Sequence, residues 1–105
     1  MLARNIINLN LSQNKIEKID ILLISEGAKK LRELDLSQNR IAKFYCEQKC
    51  TFSSLRSLNL SSNLISDDPL DALFCQANFV KLKSLDLSSN RISHLHKLIL
   101  EEPFL

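Results

Sequence analysis

The chain has little that would loosen it. One glycine and two prolines in 105 residues leave almost no room for flexible linkers. No stretch approaches the roughly 18 consecutive apolar residues of a membrane-spanning helix. Met1 to Asn5 holds no apolar secretory core, so no signal peptide is expected. Charge of one sign is also missing. Fourteen basic residues against 12 acidic ones give a formal net charge of +2, which argues against a general field for nucleic acid. The three cysteines are an odd number, and with no secretory segment they imply a reducing, intracellular, cytoplasmic setting. No glycine-rich phosphate loop, no G-x-S-x-G elbow and no H-E-x-x-H helix is present, so none of these catalytic arrangements is available.

What the chain does have is a repeated apolar frame, L-x-x-L-x-L-x-x-N-x-I, in four copies. The first runs through Ile6, Leu9, Leu11, Asn14 and Ile16, with Ile in place of the first Leu. The second uses Leu31, Leu34, Leu36, Asn39 and Ile41. The third uses Leu55, Leu58, Leu60, Asn63 and Ile65, and the fourth Leu82, Leu85, Leu87, Asn90 and Ile92. The copies are offset by 25, 24 and 27 residues. This frame closely resembles the leucine-rich repeat family over nearly the whole chain. The resemblance implies an α/β fold: a right-handed leucine-rich-repeat solenoid, with a short parallel β-sheet on the concave side and helices or turns on the convex side. It also implies a single domain of four repeats, about 3–27, 28–51, 52–78 and 79–105. The irregular spacing is similar to that of intracellular members of the family.

Within each unit the central L-x-L reads as a short strand whose leucines point inward. The asparagine that follows is expected to turn the chain and to satisfy backbone groups inside the bend. Stacking then places Asn14, Asn39, Asn63 and Asn90 in a structural ladder. The return segments read as helical over Asp71–Ala77, with Asp67 and Asp68 before Pro69 as its start. A weaker helix is expected over Ile19–Lys30, interrupted by Gly27, and a short helix or 3₁₀ turn over Ala42–Cys50. Ala28, Phe52 and Phe79, with Ala3 and Phe104, fall at one phase of the repeat. No polar-faced capping repeat is evident at either end, where arrays usually carry one. Self-association through uncapped ends is therefore one expectation, involving Leu95, Leu98, Ile99, Phe104 and Leu105 at the later end.

Function is expected on the outward strand residues. One column is Asn8, Glu33, Ser57 and Ser84, and the next is Asn10, Asp35, Asn59 and Asp86. These eight are the candidate protein-binding residues. Beyond them lie Ser12, Ser37, Ser61 and Ser88, then Gln13, Gln38, Ser62 and Ser89, all read as outward. A basic row of Arg32, Arg56 and Lys83 flanks the first column, but three cations without interleaved aromatics do not make a nucleic-acid site. The sequons Asn10-Leu11-Ser12 and Asn59-Leu60-Ser61 lie on strands of a chain read as unsecreted and are taken as coincidental. Cys46, Cys50, Cys75, His94 and His96 are spread over three repeats, which does not suit four converging metal ligands. The resulting expectation is a non-enzymatic protein–protein interaction module, with no cofactor, no metal, no catalytic residue and no membrane contact. The partner is another protein of unknown identity. The alternatives are a regulatory subunit that docks on a phosphatase, GTPase or ubiquitin ligase, and a structural element that stacks through its ends.

Overall fold

The computed structural model describes residues 4–45 and 47–93. Their elements run β1 (Asn8–Asn10), β2 (Lys18–Asp20), α1 (Ile21–Gly27), β3 (Glu33–Asp35), β4 (Lys43–Tyr45), β5 (Cys50–Phe52), β6 (Ser57–Asn59), α2 (Asp67–Gln76), β7 (Ala77–Phe79) and β8 (Ser84–Asp86). Among the described residues the architecture is α/β, with three parallel sheets and two helices.

The main sheet has four strands in the order β1-β3-β6-β8. All are three-residue x-L-x segments, and their central leucines are register partners: Leu9 with Leu34, Leu34 with Leu58, and Leu58 with Leu85. Alternation turns each leucine to the core and its two neighbours to the opposite face. Leu34, Leu58 and Leu85 are buried, while Leu9, on the edge strand, is half-buried. The next leucine of the frame repeats this pattern: Leu36 and Leu60 are fully enclosed. Leu31, Ile41, Leu55 and Ile65 complete one continuous core.

After each strand the chain bends sharply. Gln13, Gln38, Ser62 and Ser89 adopt φ of 59°, 55°, 56° and 56°, in the left-handed region that disfavours a residue with a Cβ. Each stands directly before the repeat's asparagine.

Two further sheets line the return segments. β2 pairs with β4, placing Lys18 opposite Lys43, Ile19 opposite Phe44 and Asp20 opposite Tyr45. β5 pairs with β7, placing Phe52 opposite Phe79. Those two rings stack with centroids 5.0 Å apart and an interplanar angle of 19°, and Phe74 lies 5.5 Å from Phe79. The second sheet corrects the helix or 3₁₀ turn expected over Ala42–Cys50. Lys43–Tyr45 is extended because its backbone pairs with the preceding repeat. Its β-favouring aromatic pair also sends Phe44 toward the core and Tyr45 to solvent.

The helices are short. α1 covers Ile21–Gly27: Ile19 of the expected Ile19–Lys30 span is taken up by β2, and Gly27, its interruption, ends the helix. Asp20 caps it: its Oδ1 accepts the Leu23 N–H at 3.1 Å. α2 begins at Asp67, where the Asp67-Asp68-Pro69 start signal places it, and ends at Gln76, one residue short of the expected Ala77. Asp67 and Asp68 occupy its first turn, where carboxylates favour the helix dipole. Leu70 and Leu73 bury its inner face. Helices of seven and ten residues are too short to persist alone, so packing on the sheets maintains them. Cys46, His94, His96, Ala3 and the expected end-stacking residues Leu95, Leu98, Ile99, Phe104 and Leu105 lie outside the described residues.

Candidate protein-interaction face

The solvent face of the main sheet displays two columns in register. Asn8, Glu33, Ser57 and Ser84 are successive partners across the four strands, as are Asn10, Asp35, Asn59 and Asp86. Parallel strands about 4.8 Å apart make this a close-set polar surface. Asn8, Asn10, Glu33, Ser84 and Asp86 are exposed, while Asp35, Ser57 and Asn59 are half-buried. A shallow depression of about 400 Å³ lies over the first three strands, lined by side chains of both columns.

The two columns differ in their bonding. In the second, each Oδ1 accepts both the backbone N–H and the hydroxyl of the serine two residues on. For Asp35 these contacts to Ser37 are 2.9 and 2.6 Å. Asn10 with Ser12 gives 2.9 and 2.6 Å, Asn59 with Ser61 gives 3.0 and 2.7 Å, and Asp86 with Ser88 gives 3.0 and 2.7 Å. These are local side-chain-to-backbone turns that start the bend out of the strand. The Ser88 hydroxyl, and then its backbone N–H, hold the Asp86 carboxyl below the ordinary aspartate range, with slight opposition from desolvation. The serine column is consequently not a uniform outward row. Ser37 is buried, a correction to its expected exposure: all four serines turn their hydroxyls back onto the strand, but Ser37 follows an inner strand flanked on both sides. In the first column Glu33 is exposed and projects from the sheet face.

The asparagines sit behind this face. Asn39 Oδ1 accepts the N–H groups of Asn14 and Ile16, both at 3.1 Å. Its Nδ2 donates to the carbonyls of Leu11, Leu36 and Ser37 at 3.0, 3.0 and 3.1 Å. Asn63 Oδ1 accepts the Ile41 N–H at 3.0 Å, and its Nδ2 donates to Leu36, Leu60 and Ser61 carbonyls. Asn90 Oδ1 likewise takes the Ile65 N–H at 3.0 Å. Asn39 and Asn63 are buried, Asn90 is half-buried, and Asn14 is exposed, donating to Leu11 and Ser12 carbonyls.

Arg32, Arg56 and Lys83 stand exposed along one margin of the main sheet, each donating its backbone N–H to the unit before. Another cationic surface escapes the sequence reading. Lys18 and Lys43 are directly opposed on the solvent side of β2–β4, with exposed Arg40 and Tyr45 beside them. Its signal was present in the sequence: Lys18 and Lys43 each stand four residues after the repeat asparagine. Cys50 is buried and Cys75 exposed, both as free thiols. Among the described residues no cluster of His, Cys, Asp or Glu could hold a metal ion, and no helix is long and apolar enough to cross a membrane.

Comparison with known proteins agrees with the geometry. Residues 27–43 and 53–74 match one leucine-rich repeat model, and residues 81–102 match a second. No curated protein matches the sequence. The apolar frame, the parallel register it produces and these matches place the chain in the leucine-rich repeat family.

Proposed function

We propose that the chain is a protein-interaction module in which the main sheet forms the concave wall of a right-handed solenoid and docks another protein. Leucine-rich repeats generally act as protein-interaction modules and typically without catalysis, and solenoid curvature creates extended binding surfaces. The observation that carries the reading is the register of the two polar columns. Eight hydrogen-bonding side chains stand at fixed spacing on four rigidly paired strands. Such an array presents partners with positioned donors, acceptors and carboxylates at little ordering cost.

The carboxylates of Glu33, Asp35 and Asp86 make the face complementary to lysine or arginine on the partner. Because Asp35 and Asp86 also hold the turn, charge reversal there would confuse binding with folding. The test is a triple variant, Glu33→Lys with Asp35→Asn and Asp86→Asn, which keeps each Oδ1 acceptor. Proteins captured by the wild-type chain should be lost by the variant, and direct titration should show weaker affinity with a shallower salt dependence. Capture of the same proteins at unchanged affinity and salt dependence would place the binding face elsewhere.

A further inference from the structure

The surface of β2–β4 concentrates positive charge in an arrangement that works against folding. Lys18 and Lys43 are register partners on the same face of a parallel pair, and like charges directly opposed are unfavourable. Arg40 stands three residues before Lys43, and Lys15 holds the equivalent place one repeat earlier; all four are exposed. The ion pair found among the described residues, Glu26–Lys29 at 4.0 Å, involves none of them. Two carboxylates share the surface. Asp20 accepts the Leu23 N–H as the cap of α1, and Glu17 is the one carboxylate that lines the groove.

The groove itself, about 330 Å³, combines Lys18, Arg40 and Lys43 with an apolar floor. Tyr45 is 47% exposed and Leu64 36% exposed. The Lys18 ammonium lies 5.6 Å from the Tyr45 ring centre, within cation–π range, so ring and charge sit side by side. Exposed tyrosine and arginine beside an apolar patch is the composition that interfaces favour.

We propose that this groove, on a different sheet from the polar columns, binds an acidic, extended segment of a protein partner, with carboxylates set between Lys18, Lys43 and Arg40 and an aliphatic side chain on Tyr45 and Leu64. Charge complementarity selects an anion. The apolar floor, with a single aromatic ring, selects a peptide over a nucleic-acid strand, which would need successive stacking rings and an uninterrupted basic track. An anionic ligand also relieves the repulsion between Lys18 and Lys43, so the cost borne by the free chain is recovered on binding.

The experiment titrates a fluorescein-labelled peptide rich in Glu and Asp, with one central Leu, into the full chain and follows anisotropy at low and physiological salt. Lys43→Glu should weaken binding by about tenfold or more while raising the urea midpoint, because it replaces a like-charged pair with an opposite one. The neutral pair Lys18→Gln, Lys43→Gln should also weaken binding, which guards against a reversal that misfolds. Arg32→Glu with Arg56→Glu, on the other surface, should change affinity by less than about twofold. The proposal is overturned by absence of peptide binding to the wild type. It is equally overturned by loss of binding in the Arg32, Arg56 control to the same degree, or by an RNA oligonucleotide that outcompetes the peptide at these residues. Because Glu33, Asp35 and Asp86 are untouched, each of these results is separable from the outcome for the main sheet.

Discussion

Replacing Asn63 by alanine removes one acceptor and one amide donor group from the interior, and the structure shows which backbone groups are then stranded. The three carbonyls served by Asn63 Nδ2 each keep another donor. Leu36 O retains Asn39 Nδ2, Leu60 O retains Asn90 Nδ2, and Ser61 O retains the Gln38 N–H. The Ile41 N–H loses its Asn63 acceptor, and Ile41 is 0% exposed. A buried N–H with no partner costs about 1–3 kcal/mol, and the small void left by the amide adds to it. Asn63→Ala should therefore cost about 2–4 kcal/mol, a fall of about 1–2 M in the urea midpoint for a domain of this size. Asn14→Ala is the paired control. Asn14 is exposed, and its Oδ1 accepts no N–H from an earlier unit among the described residues, so its loss should cost under about 1 kcal/mol. Gln38→Ala, exposed and retaining a Cβ, should cost less than about 0.5 kcal/mol. Equal urea midpoints for Asn63→Ala and Asn14→Ala would refute the assignment of stability to interior satisfaction.

Acid titration provides a further check. Asp86 has its carboxyl pKa lowered by Ser88 in the folded state, so it contributes stability above the ordinary aspartate value of 3.8. That contribution is lost as pH falls from there through the lower folded value. Ser88→Ala should flatten this part of the acid limb in pH-dependent urea melts, and an unchanged profile would contradict the hydrogen-bond cause. Gln38→Gly should instead stabilise the chain by about 0.5–1 kcal/mol, since glycine accepts the left-handed turn without a Cβ clash at some cost in unfolded-state entropy. A fall in the urea midpoint would show that the turn carries no such strain.

The main sheet was legible because its signal is repeated and apolar. Leu9, Leu34, Leu58 and Leu85 occupy one phase of the frame, and alternation fixes what their neighbours do. The β2–β4 pair was not legible in the same way. Lys18–Asp20 and Lys43–Tyr45 each turn only their middle residue inward, and a single apolar residue sets no period. Their identity emerges only when equivalent positions in successive repeats are laid side by side, which also brings the lysines together. The second column shows another limit. Residue type marks Asp35 as polar and outward, but not that its Oδ1 is occupied by Ser37. Side-chain chemistry predicted the surface; competition between surface and turn for the same oxygen appears only in three dimensions.

The asparagine acceptors all point one way along the chain. Asn39 receives N–H groups from residues 14 and 16, Asn63 from residue 41, and Asn90 from residue 65. Each of the first three turns is thus closed by the asparagine of the unit made after it. On the ribosome, where a chain emerges from its N-terminus, a newly exposed turn stays unsealed until about one more repeat has followed. The bonding of the array is consequently directional, each unit acting as the clasp for its predecessor. Shortening is asymmetric for the same reason: deleting a unit from the later side unfastens the turn before it, whereas deletion from the earlier side leaves the remaining clasps closed.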